Sequence, residues 1–183
     1  AMTAQQIGVF TTTQIAALSK NAISGLTATS MSYLSTTQIA SLTAVQAAAL
    51  HDTQIEALST AQIAALSTRA ISGLGNTQIS GLSPDQLGAM SLTQIGALSA
   101  DGISGLGVDE LMQLSQSFFA GLSTTQVKAL SEYQVVSLSS EQLAGLSSTQ
   151  ISALSSVAVA GLSVTALQSL TTTQLAGLTA AQI

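Results

Sequence analysis

An all-α solenoid of short capped helices, one per eight-residue repeat, is the fold this sequence encodes. A large apolar residue recurs every eight positions from Phe10 through Leu178; of these 22 positions 20 are Leu, and the others are Phe10 and Met90. A second apolar column runs from Ile7 to Ile183 at the same period, with 23 members drawn from Ile, Leu, Val, Met31, Phe119 and Ala47. The residue after each Leu is nearly always Ser or Thr, and Gln usually stands three positions later. The consensus reads Leu-Ser-Thr-Thr-Gln-Ile-Ala-Ala, and no insertion or deletion breaks its register.

The period of eight selects the conformation. In a continuous α-helix eight residues turn about 800°, so an apolar stripe drifts about 80° per repeat and covers every face. A coiled coil needs a spacing near 3.5. In a strand, apolar residues three apart point to opposite faces, and Ala and Gln are poor strand formers. In one helical turn, residues three apart share a face. Each octad is therefore expected to hold a short helix and then break.

The break has a mechanism. After the Leu column come 14 Ser, five Thr, Gly75, Gly107 and His51. Ser, Thr and Gly favour the N-cap, where a hydroxyl accepts an amide hydrogen that no helical carbonyl can reach. Gln, or Glu110, occupies the third helical position in 16 of 23 units, which completes a capping box. The Leu before the cap and the Ile after Gln form the hydrophobic staple. Pro84 falls at the first helical position, where a missing N–H costs nothing. Seven of the eight acids fall in the first turn, where the helix dipole favours them; Glu56 is the exception, and Lys20 and Arg69 run against the trend. On this reading one Gln is half of one box, worth about 0.5–2 kcal/mol.

An isolated helix below roughly 12 residues is marginal in water. Each octad must bury its Ile/Leu face on its neighbours, as solenoid units do. The residue before each Leu is small, apart from Tyr33 and Gln113, so backbones can approach closely. Gly145, Gly161 and Gly177, with Ala or Ser between, suggest a 16-residue alternation. Two helices per coil spaced about 9 Å apart would make the chain about 100 Å long. Ala1-Met2 reads as a cloning remnant. Residues 3–183 read as a single solenoid of about 22 units, a fragment of a longer array.

Composition excludes several functions. Only 6% of residues are charged, against about 25% in typical soluble proteins. The net charge is −5, and Lys20, Arg69 and Lys128 are isolated, so no basic stripe exists for nucleic acid. No apolar run nears the roughly 18 residues of a spanning helix, so no membrane insertion is expected. Cys is absent, which removes thiolate chemistry and disulfides. His51-Asp52 is the sole His–carboxylate neighbour pair. The pair has no second His and no nucleophile at a motif spacing, and it sits where a cap and a first-turn acid belong. No catalytic, cofactor-binding or metal residue is assigned, no cofactor is implied, and the chain is read as not an enzyme.

Three units between Asp101 and Leu122 replace the Gln with Gly102, Glu110 and Phe118, and bring in Met112, Gln113 and Phe119. Exposed aromatics there would mark a binding patch. The preferred reading is local degeneracy, with Phe119 in the core and Phe118 partly shielding a neighbour. Thr recurs at the second helical position, as in Thr37, Thr53, Thr77 and Thr149, but Arg69, Asp85, Asp101, Asp109, Tyr133 and Glu141 interrupt that column. Helix-start preference accounts for the Thr without an ice-matching role.

Two resemblances follow from these residues. Leu82-Ser83-Pro84-Asp85-Gln86-Leu87-Gly88-Ala89-Met90 is similar to the opening helix of a TAL-effector repeat. That family's second helix and basic DNA face have no counterpart here. Residues 3–183 as a whole resemble the Leu-Thr/Ser-x-x-Gln-Ile/Val-x-x arrays of very large bacterial proteins that are secreted or surface-attached. The resemblance implies an extended spacer or adhesin-like segment at the cell surface or beyond it. A binding module for protein, glycan or ice on a Ser/Thr/Gln-rich face is the alternative. Apolar ends imply end-to-end self-association.

Overall fold

The computed structural model describes residues 4–183, and these are all-helical: 22 helices of four to six residues run from Ala4–Gly8 to Thr172–Leu175, with no strand among the described residues. Ala1 and Met2, expected from the sequence to be a cloning remnant, lie outside them. Each octad follows one path. At Thr36–Ala40 the N-cap Ser35 is extended (φ −66°, ψ 158°), and its carbonyl accepts from Ile39 N–H at 2.9 Å. Leu42 N–H then donates to Ile39 O at 3.1 Å, a tighter bond that closes the helix. The next extended residues turn the corner into the following cap.

No described residue has positive φ, so these helices do not stop on the left-handed glycine that ends many others. Glycine before the Leu answers to space instead. A Cβ on Gly145 would lie 2.7 Å from the Gln116 carbonyl oxygen, and one on Gly177 would lie 2.5 Å from that of Ser148. In each case the glycine rests on the first residue of the helix three octads earlier.

That spacing defines the coil. The principal helix–helix contacts all join helices three apart, such as Thr36–Ala40 with Thr60–Ala65 and Glu132–Val136 with Ser156–Ala160. One coil is thus three helices and 24 residues, and the expected 16-residue alternation is wrong. Gly145, Gly161 and Gly177 belong to three different stacks, where they meet Gln116, Val136 and Ser148 respectively. Their regular spacing in sequence reflects no spatial repeat.

The chain forms two compact units, one ending at Gly105 and the other Leu106–Ile183. In the first, one stack holds Ala28–Ser32, Asp52–Glu56, Asn76–Ser80 and Ala100–Ser104. In the second, the stacks are Val108–Gln113 with Glu132–Val136 and Ser156–Ala160; Gln116–Ala120 with Ser140–Ala144 and Val164–Ser169; and Thr124–Ala129 with Ser148–Ala153 and Thr172–Leu175. Both apolar columns point inward: Ile15, Ile39, Ile63, Leu50, Leu74 and Leu143 are buried. Each buried aliphatic contributes about 1.5–3 kcal/mol before chain entropy is charged against it.

Candidate functional site

Gln is the polar residue that the fold buries, and its amide is engaged at both ends. Gln142 is 4% exposed. Its Oε1 accepts from the Ser139 N–H at 2.9 Å, while Ser139 Oγ accepts from the Gln142 N–H at 3.2 Å, completing the capping box. Its Nε2 donates to the carbonyls of Leu111 at 2.7 Å and Leu114 at 2.8 Å. Those two oxygens end the helix four octads earlier. The same pattern recurs at Gln46 with Ile15 and Leu18, at Gln62 with Met31 and Leu34, and at Gln86 with Ile55 and Leu58. One side chain thus caps the start of its own helix and the end of another. The sequence reading recognised only the first half.

Where Gly102 replaces the Gln, and where Gly75 replaces the cap hydroxyl, another side chain takes up the freed group. At Gly102 the cap hydroxyl of Ser99 accepts the Gly102 amide at 2.9 Å and donates to Leu74 O at 3.0 Å, doing for that carbonyl what a Gln amide would. Gly75 has no cap side chain, and Asp101 Oδ2 from the coil above accepts from the Asn76 N–H at 2.9 Å. No buried side-chain nitrogen or oxygen among the described residues lacks a partner.

His51 occupies the N-cap position, as its place in the octad required, but its imidazole makes no cap hydrogen bond. Gln54 Oε1 still accepts from the His51 N–H at 2.8 Å, and Asp52 Oδ1 accepts from the Thr53 N–H at 2.8 Å. Asp52 is engaged in holding the first turn. Pro84 opens its helix, and Asp85, Asp101, Asp109, Glu132 and Glu141 stand in first turns. The Glu141 carboxyl is held below the usual carboxylate range, first by its own backbone amide and then by the Ser139 hydroxyl.

The Phe118–Phe119 pair is not a surface patch. Both rings are buried, edge to face, with centroids 5.7 Å apart. Phe118 fills the site a buried Gln fills elsewhere, so local degeneracy is the better description. A shallow groove brings Glu56 and Asp85 together with Ser59, Thr60 and Ser83. No group of three or more His, Cys, Asp or Glu that could hold a metal occurs among the described residues. No described helix is long and apolar enough to cross a membrane.

The 24-residue coil also sorts the surface. Thr29, Thr53 and Thr77 lie in one stack of the first unit, and Thr125, Thr149 and Thr173 in one stack of the second, all exposed. Arg69, Asp85, Tyr133 and Glu141, which interrupt the Thr column along the sequence, lie on other stacks; Asp101 stands in the first of these two. In the second unit the polar shell is broken at every level of one stack, while Val164 and Leu175 are exposed singly on the other two. On the stack Val108–Gln113, Glu132–Val136 and Ser156–Ala160, the side chains of Met112, Tyr133 and Val157 are exposed. These residues lie far apart in sequence and meet only once the coil period is known.

Residues 48–84, 56–92 and 119–156 match the ALTTAQ repeat family. The matches fall in both units and establish the chain as a repeat array. No curated protein matches it significantly.

Proposed function

We propose that this chain is a structural spacer or scaffold segment of a large, extracellular bacterial repeat protein, and that it performs no catalysis. The Gln lattice carries this reading. The repeat's most specific polar chemistry is directed inward, at helix starts and ends, where it fixes one coil on the next. The acids are taken up by first turns rather than gathered into a reactive cluster. The bacterial, extracellular setting comes from the resemblance to Leu-Ser/Thr-x-x-Gln-Ile arrays alone.

A spacer is defined by reach. With the chain fused between a bilayer anchor and a fluorophore, the fluorophore height should rise by roughly 8–10 Å for each 24-residue coil added, the distance between packed helices. It should also be indifferent to which exposed residues the added coils carry. A height that does not change with coil number would sink the reading. End-to-end self-association is part of the same proposal. Val159, Leu167, Leu175 and Leu178 line an apolar hollow, and a strictly monomeric species by light scattering at high concentration would count against it.

A second reading, a glycan- or ice-binding face, is favoured by one observation: the aligned Thr29, Thr53 and Thr77, and the aligned Thr125, Thr149 and Thr173. Thermal hysteresis or glycan retention that disappears on replacing Thr125, Thr149 and Thr173 by Lys would support it. Absence of both in the unaltered chain rejects it.

A further inference from the structure

We propose that the outer face of the stack Val108–Gln113, Glu132–Val136 and Ser156–Ala160 is a docking surface for a partner polypeptide carrying an apolar stripe flanked by Lys or Arg. The inference is independent of the spacer reading, which holds whether or not this face is covered.

The face is apolar at all three levels. The exposed fractions are 37% for Val108, 61% for Met112, 77% for Tyr133, 41% for Val136 and 59% for Val157. The helices that carry them pack directly on one another: Val108–Gln113 on Glu132–Val136, and that helix on Ser156–Ala160. Val136 reaches up to the next level, since a Cβ on Gly161 would lie 2.8 Å from Val136 Cγ1. The first two helical positions of the other two stacks of this unit are otherwise polar, as at Gln116, Thr124, Thr125, Ser148 and Thr149, with Val164 a lone exposed exception. Fold requirements do not explain the difference, because the core of these three octads is already filled by Leu111, Leu114, Val135, Leu138, Val159 and Leu162. Contiguous exposed apolar surface marks interaction sites, and Tyr and Met are enriched where interfaces are fully covered.

Charge decides the occupant. Asp109 and Glu132 are exposed within the same face, with Glu110 half-buried beside them. None of the three helices carries Lys, Arg or His. A second copy of this chain would set acid against acid in a self-complementary interface. An anionic membrane surface would be repelled for the same reason. A partner with basic residues beside an apolar stripe satisfies both features and is steered to the face by charge.

A synthetic Leu/Lys amphipathic peptide and its Leu/Glu counterpart serve as probes, titrated into the whole chain at low salt and followed by amide chemical shifts. The expected result is binding of the Leu/Lys peptide only, with shifts confined to residues 107–114, 131–138 and 155–162. Replacing Met112→Ser, Tyr133→Ser and Val157→Ser together keeps every acid and should weaken binding by about tenfold or more. Deleting residues 147–154 tests the geometry without touching the face. It moves Val157 onto the Thr125 stack and should weaken binding to a similar extent while circular dichroism stays helical. Four outcomes overturn the proposal: no binding of the Leu/Lys peptide; binding unchanged by the triple substitution; self-association that the triple substitution abolishes; or uptake by phosphatidylcholine vesicles that it abolishes while the peptide fails to bind.

Discussion

At the scale of the residue, the buried glutamine is the most demanding position. Replacing Gln142 by Ala leaves the Ser139 amide and the Leu114 carbonyl without their partner and takes one of two donors from the Leu111 carbonyl, which keeps the Leu114 N–H. Each stranded group costs about 1–3 kcal/mol, less whatever entering water recovers, so denaturant melts should show a loss of about 2–4 kcal/mol. That exceeds the 0.5–2 kcal/mol for half a capping box, because the larger part of the bonding lies between coils. Gln142→Glu separates the two parts. An ionised carboxylate still accepts the Ser139 amide, but it has no hydrogen to give to Leu111 or Leu114. Burial and the facing carbonyls raise the folded-state pKa of that Glu above its unfolded value near 4.3. The variant's deficit against the parent chain should therefore be largest and constant above that raised pKa and should shrink as pH falls through it toward the unfolded value. A deficit that does not change between neutral and acid pH would show that the amide donor contributes nothing. Sequence alone could place this Gln at a helix start but could not identify its second pair of partners. The partners lie 28 and 31 residues away, and that separation follows from the number of helices per coil, which no single octad encodes.

At the scale of the element, nearly all of the helix was legible. Cap, box, staple, Pro84 and the first-turn acids are local rules, and they fell where the octad placed them. One cap departed from its rule, and one side chain of the degenerate units went further inside than the octad indicates. His51 took the cap position without its imidazole capping: the Gln54 amide donates to the His51 carbonyl instead, and Asp52 accepts the Thr53 amide. Phe118 went inside because the vacated Gln site is interior. Glycine gives a test of opposite signs. Gly88 ends its helix with nothing within 4 Å of a built Cβ, so Gly88→Ala should stabilise by about 0.4–1 kcal/mol through reduced freedom of the unfolded chain. Gly145→Ala meets the Gln116 carbonyl at 2.7 Å and should destabilise by about 1–3 kcal/mol. Thermal melts of the two variants should move in opposite directions. Movement in the same direction would mean that propensity, not the contact between stacked helices, governs Gly145.

At the scale of the whole molecule, equivalent octads give the fold a tolerance that ordinary domains lack. Most units carry their own cap and apolar pair, and their contacts are set by counting three or four units back. Removing one octad, such as Ser59–Leu66, leaves that count valid for all that follow. It shifts each later helix to another stack but keeps every Ile and Leu inside. Removing four residues does not, since it joins half a helix to half a corner and throws the two apolar columns out of register. The octad deletion should keep helical circular dichroism and a cooperative melt, with stability lowered in proportion to the units lost, as expected where energies add between neighbours. Deleting Ser59–Gln62 should cost far more than its length. The two deletions also separate roles for the array. A function that needs only a rigid span survives loss of an octad, shortened by a third of a coil. A function read from one stack, such as the face containing Met112, Tyr133 and Val157, is lost when an octad is removed from within that stack's span, because its residues no longer face the same way. If both functions survive deletion of residues 147–154, neither depends on the alignment of stacks. If only reach survives, the solenoid is a spacer with a binding surface encoded every 24 residues.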